Sequence, residues 1–274
     1  MQEAPRLIQF FGELHMKRTV WLLVILAVLC LSIRAVFSTT VRAVAVVAGL
    51  PRRLPIYSVM TDEKKVAISF DAAWGAEYTP RLLEILKKHG VKATFFLVGF
   101  WIERYPEVTR RIFREGHELG NHTENHPHLT RLSREEIARE ILSVHQRLKK
   151  ITGKDATLFR PPFGEYDDAV IEVAESLGYQ TIQWSVDSLD WREPSPAALT
   201  ERVCRRVHPG AIVLFHNNAR CTAEALDEIL SRLIQDGWKL VPISELLIKG
   251  AYYIDHQGRQ CPKPGPDLAA DISR

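Results

Sequence analysis

The chain is short of cysteine and of any excess of charge, and each shortage excludes a class of function. Four cysteines, Cys30, Cys204, Cys221 and Cys261, are spread over 274 residues. Cys30 falls in an apolar run, which leaves an odd three, and no two stand at CxxC spacing, so neither a disulfide framework nor a cysteine zinc site is indicated. With 36 Lys and Arg against 33 Asp and Glu the formal charge is only +3. Acids are interleaved nearly throughout, no basic face stands out, and nucleic acid is excluded as a partner. A glycine-rich dinucleotide turn is missing after the first strand-like run, "KVAISF". The helical zinc-protease motif is missing too: "HELGNH" from His117 has the Glu but the wrong His spacing, and in "HTENH" Thr123 stands where Glu is required.

What is present begins with one long apolar run. Residues 19–37, "TVWLLVILAVLCLSIRAVF", follow Lys17 and Arg18 and read as a signal or signal-anchor segment. The small-x-small site Ala43-Val44-Ala45 lies well beyond the run, which favours an uncleaved single-span anchor over a cleaved signal peptide followed by secretion. The expected organisation is a basic N-terminal segment (1–18), a transmembrane signal-anchor (19–37), a linker (38–63), one domain (64–249) and a loose tail (250–274). This organisation places the domain at the cell membrane, and its outer side is the expected one.

From Lys65 onward, short β-branched or aromatic runs alternate with helical periodicity. "KVAISF" (65–70), "ATFFLVG" (93–99), "TIQWSV" (181–186), "AIVLFH" (211–216) and "KLVPI" (239–243) read as buried strands, with weaker candidates ending near Asn121 and Arg160. The clearest helix starts at Ser133, with Glu136 in capping-box spacing, and stops at Gly153; another runs from about Thr222 to Gly237. Such alternation predicts an α/β fold with parallel strands joined by helical crossovers, best matched by a distorted or incomplete (β/α) barrel, with a doubly wound open sheet as the alternative.

On that scheme the polar residues gather at carboxyl ends of strands. Asp71 follows the first, His122 and His126 the third, Arg160 the fourth, Asp187 and Asp190 the fifth, and His216 the sixth. In parallel barrels that end carries the chemistry, because the strands aim side chains at one mouth. Gly120 and Pro127 flank the HxxxH pair, so it belongs to a loop rather than a helix. A lone pair of this kind is as readily a polar turn as a metal site; the company of Asp71 and His216 favours metal.

Five motifs in order, "SFDAAWG", "HTENH", "RPPFG", "DSLDW" and "LFH", resemble the polysaccharide deacetylases of carbohydrate esterase family 4, the NodB-homology domains. The first is most similar to a sporulation-associated, PdaB-type branch. The resemblance covers about Lys64 to Leu247 and implies a NodB-type barrel with Asp71 as general base, His122 and His126 as metal ligands and His216 as general acid. Arg160 and Asp190 would orient the base and tune the acid. Trp191 and Leu214 would wall the acetyl methyl, Phe163 would offer a backbone N–H to an oxyanion, and Asp187 belongs to the same motif. The implied cofactor is a divalent metal, zinc first and cobalt second. The implied substrate is a cell-wall glycan, peptidoglycan or a chitin-like N-acetylglucosamine polymer.

One position departs from the family pattern. The usual second aspartate of the first motif is Ala72 here, and a methyl group cannot ligate a metal. Asp71 itself, Glu77, His128 or water are the candidates to complete the ligand set. Two expectations follow: a metal-dependent N-deacetylase of reduced activity, or a barrel that keeps the groove and binds glycan with little turnover. A glycoside hydrolase, which needs two carboxylates across a sugar, would leave the histidines unexplained.

Overall fold

The computed structural model describes residues 21, 24–34 and 52–263. Residues 24–34 are helical; the remainder of the expected anchor, most of the linker and the last eleven residues of the expected tail lie outside the described residues. Among the described residues no helix is long and apolar enough to cross a membrane. The chain divides into two compact units, Met1–Arg52 and Arg53–Arg274, and the second holds the fold and the site.

This unit is built on strands β1 (Ser58–Val59), β2 (Lys65–Ala72), β3 (Thr94–Leu97), β4 (Glu118–Asn121), β5 (Leu158–Phe159), β6 (Gln180–Thr181), β7 (Val186–Asp187), β8 (Ala211–His216), β9 (Lys239–Val241), β10 (Tyr252–Ile254) and β11 (Arg259–Pro262). The row β8-β2-β3-β4-β5-β6 is parallel throughout, with helices on the crossovers. A parallel bridge between Ile56 and Ile182 ties β6 back to the chain entering β1, and β1 pairs antiparallel with β8. The row therefore curls round and closes through the lead-in segment. The outcome is the distorted barrel, not the open sheet.

Strand alternation sorts the side chains into two layers. On β2, Val66, Ile68, Phe70 and Ala72 join the apolar cluster beneath the helices, whereas Ala67 joins the smaller cluster inside the barrel with Phe96, Ile182 and Ile212. Ser69 and Asp71 share the inward parity of Ala67. The capping box at Ser133 and Glu136 forms as expected, and Gly153 closes that helix (Arg134–Thr152) in the left-handed region, φ 71°.

Two domain boundaries need correction. Residues 54–63 are not linker: Ile56 and Val59 are buried and paired, so the sheet begins there. Residues 250–263 are not a loose tail: β10 and β11 form an antiparallel hairpin whose second strand runs parallel to β1 and buries Gln260 and Cys261. Main-chain pairing with β1 holds a segment whose side chains gave little apolar signal. The expected strand 181–186 is also two short strands, β6 and β7, that pair with different neighbours.

Candidate active site

Asp71 and His216 are register partners on β2 and β8, and Phe96 of β3 is partner to Asp71 on its other side. Neighbours in a parallel sheet face the same way, so the carboxylate and the imidazole enter the barrel mouth at one level. Around them is a cavity of about 400 Å³. Its lining includes Asp71, His122, His126, Phe163, Asp187, Trp191, Leu214 and His216, eight of the positions singled out in the sequence, together with Trp74 and Trp184.

The first half of the site pairs two buried carboxylates with cationic partners. Arg160, fully buried on the segment after β5, donates to Asp71 Oδ1 at 2.7 Å, to Ser69 Oγ at 3.0 Å and to the Gln183 carbonyl at 3.3 Å. Its guanidinium lies 4.1 Å from the centre of the Phe96 ring. Burial alone would raise the Asp71 carboxyl, but Arg160, with His122 and His216, outweighs it and holds the group below its ordinary value. Opposite, the carboxylate of Asp190 is fully buried and accepts three bonds: from His216 Nδ1 at 2.7 Å, from the His216 backbone N–H at 2.6 Å and from Thr222 Oγ1 at 2.7 Å. Burial works against the charged His216, yet the bond and charge of Asp190 raise its pKa above the ordinary value.

The second half holds the two loop histidines. His122 Nδ1 lies 2.7 Å from the Arg160 carbonyl, and a carbonyl only accepts, so the proton sits on Nδ1 and Nε2 is left bare. That Nε2 is 3.5 Å from Asp71 Oδ2. His126, in the left-handed region at φ 54°, packs edge-on to His122 with ring centres 4.9 Å apart. Its Nδ1 is buried without a hydrogen-bond partner. Burial, helped by the neighbouring His122, pushes His126 down to about 3, and burial lowers His122 as well. Both rings are therefore neutral near pH 7, the state in which imidazole ligates a metal.

Two neutral imidazoles, one with a bare nitrogen and one with an orphaned buried nitrogen, fit a divalent cation as a donor pair. The set stops there. Ala72 is fully buried and does not line the cavity. Glu77 is exposed and lies outside the lining, while His128 pairs with Glu165 at 2.8 Å and stacks on Phe163. Among the described residues no group of three or more His, Cys, Asp or Glu is placed to hold a metal.

The rim is aromatic. Phe163 adopts φ 59° in the turn Pro162–Gly164, a costly conformation for a bulky residue that the surrounding turn must enforce. Leu214 is buried at the wall, and Asp187, half-buried beside it in register, accepts from Leu189 N at 2.8 Å. Trp191 is exposed on the turn Asp190–Arg192. Sequence reasoning missed four contributors. Trp184, within the run expected as a buried strand, packs on the core and also lines the cavity. Ser69 and Thr222 buttress Arg160 and Asp190, and only the polarity of Ser69 amid "KVAISF" hinted at this. Trp74 stands in the first motif, and its place in the loop after the strand was the available signal.

Comparison with known proteins agrees with this geometry. The family model described as polysaccharide deacetylase matches residues 58–182. The chain is 37% identical over 193 residues to the peptidoglycan-N-acetylmuramic acid deacetylase PdaA of Bacillus subtilis, covering 69% of this chain and 73% of PdaA. It is 36% identical over 193 residues to the uncharacterized protein YlxY of the same organism, covering 70% of this chain but only 60% of YlxY. Among solved structures, wild-type BA3943 of Bacillus anthracis, a CE4 family pseudoenzyme, superposes with a TM-score of 0.69 at 41% identity, covering 71% of this chain and 69% of that one. A BA3943 mutant with restored enzymatic activity superposes equally well, TM-score 0.69 at 42% identity and 71% coverage of each chain. On this similarity, its extent and the curled barrel, the chain belongs to the polysaccharide deacetylase family.

Proposed function

We propose that this protein hydrolyses the acetamide of N-acetylated amino sugars in peptidoglycan, spore cortex glycan included, and releases acetate. The observation that carries the reading is the placing of two groups across one cavity: a carboxylate paired with a buried guanidinium, Asp71, and an imidazole whose protonated form is favoured by Asp190, His216. An acetamide is a poor electrophile; its hydrolysis needs a proton removed from water and a proton given to the departing nitrogen. Asp71 takes the first and His216 supplies the second, and a positioned acid or base typically contributes about 10²–10⁴-fold. Asp190 holds His216 through Nδ1, which leaves Nε2 as the donating atom. Phe163 N–H steadies the developing oxyanion, worth about 10²–10³-fold in comparable sites. Leu214 and Trp191 receive the acetyl methyl, and Asp187 borders the sugar.

His122 and His126 would hold a divalent cation, zinc or cobalt. Bound there, it would polarise the carbonyl and lower the pKa of water. With a methyl group at Ala72 the donor set is one short, so affinity for the cation is low. The location that goes with this substrate is outside the membrane, with residues 19–37 as anchor or signal.

Ala72 also favours a second reading, a glycan-binding barrel of little turnover, and the pseudoenzyme among its relatives supports it. The two separate in one experiment. Purified full-length protein given zinc or cobalt should release acetate from chitin oligomers or glycan strands, and Asp71→Asn should abolish the release. Release that survives both chelator and Asp71→Asn would reject the mechanism; glycan binding without release at any metal concentration would establish the second reading.

A further inference from the structure

We propose that Trp74 is a stacking platform for the sugar next to the one being processed, so that the site reads a polymer and not a single amino sugar; this rests on the glycan reading above. A cavity of about 400 Å³ lies at the small end of the roughly 300–1,000 Å³ range of ligand pockets. It admits one sugar and its acetamido group, and the rest of a chain must lie across the rim. Trp74 stands there, 55% exposed, within the lining and edge-on to His126 at 5.0 Å between ring centres.

With Phe163 and Trp191, also exposed and in the same lining, it makes an aromatic rim, and a grouped apolar patch of this kind marks an interaction surface. The support of Trp74 is rigid. The carbonyl of the next residue, Gly75, accepts both from Trp101 Nε1 at 2.6 Å and from Asn217 Nδ2 at 2.9 Å. Gly75 itself takes φ +56°, and a Cβ there would fall 2.4 Å from the Glu77 carboxylate, so glycine shapes the turn that presents the ring. An indole fixed in one orientation loses little entropy on binding. The C–H face of a pyranose is apolar and flat enough to lie on it, and nothing in that contact requires the acetamide.

Isothermal titration with the monomer and the tetramer of N-acetylglucosamine tests the assignment. Trp74→Ala should weaken tetramer binding about 5- to 10-fold, the size of one good aromatic contact, and weaken monomer binding by clearly less. Trp74→Phe should recover most of the loss. Thermal unfolding of each variant should match the parent, since the ring is exposed. Equal tetramer affinity in Trp74→Ala and parent overturns the proposal, as does an equal loss for both ligands. A parent that binds neither ligand overturns it together with the glycan reading. Acetate release, followed separately, distinguishes the two claims: a parent that releases no acetate but needs Trp74 for the tetramer loses the hydrolase and keeps the platform.

Discussion

The two halves of the barrel mouth are built to different standards. On the side of Asp71, Arg160, His216 and Asp190, the carboxylates are met by several donors: Asp190 accepts three bonds and Asp71 is fixed by a guanidinium that itself reaches Ser69 and Gln183. On the side of His122 and His126, one ring has a single bond to a carbonyl and the other has a buried nitrogen with none. Buried polar groups are normally satisfied, and each exception calls for an explanation. The difference teaches that the proposed acid–base half is closely hydrogen-bonded, whereas the two histidines that would hold a cation are under-satisfied and, among the described residues, have no third ligating partner.

The largest expected effect comes from breaking the better-built half. Arg160→Met should leave the Asp71 charge buried without its partner, a change that typically costs about 3–5 kcal/mol. Denaturant unfolding should show that loss, and acetate release should vanish. A stability within error of the parent would mean that Asp71 has other support and that the two halves are more alike than their bonds indicate. Next in size, Asp190→Asn should reduce release by about 10²–10⁴-fold. It should also move the basic limb of the pH profile. In the proposed mechanism His216 acts while protonated, and Asp190 raises its pKa. Removing that charge lowers the pKa, so activity is lost at a lower pH than in the parent. A limb that stays in place would assign it to another group.

How much of this contrast was legible in the sequence depends on which physical signal each element leaves. Parallel strands buried on both faces leave continuous apolar runs, so β2, β3 and β8 and the barrel were readable. The polar residues at their ends were readable for the same reason: Asp71 and His216 interrupt such runs, and motif spacing did the rest. The lead-in at Ile56 and the hairpin β10–β11 were not, because two-residue pairings and main-chain bonds leave no periodicity. Trp184, in the break between β6 and β7, packs against the inner core cluster and also lines the cavity, and only the first of these roles follows from a strand position. The absence of Ala72 from the metal set was visible as a letter. Whether another residue replaces it depended on where the loop after β2 places Glu77, which no local pattern encodes.

A smaller effect should come from mending the weaker half. Ala72→Asp supplies the second carboxylate that the first motif lacks, and should tighten zinc binding by at least about 10-fold. Loss of even an outer-layer partner typically changes affinity about 10–100-fold, and a direct ligand should matter no less. Because Ala72 is fully buried in the apolar layer, part of the gain will be offset by desolvation, visible as a lower Tm in the absence of metal. Unchanged affinity with a lower Tm would mean that the new carboxylate stays in that layer and the halves differ by geometry as well as composition.

The smallest effect should come from Glu77→Gln. Glu77 was the sequence's candidate to replace the missing ligand, six residues along the loop from Asp71, but its side chain is exposed, outside the cavity and crowded against Gly75. The turn that brings Trp74 to the rim is fixed through the Gly75 carbonyl by Trp101 and Asn217, which holds the loop that carries Glu77. Zinc affinity, read by competition with a chelating dye, should therefore stay within about 2-fold of the parent, the change expected for one exposed charge. A loss of 10-fold or more, roughly 1.4 kcal/mol, would mean that cation binding pulls the loop inward and rebuilds the third ligand from Glu77. In that event the weaker half is incomplete only while empty, and Trp74 would move with it.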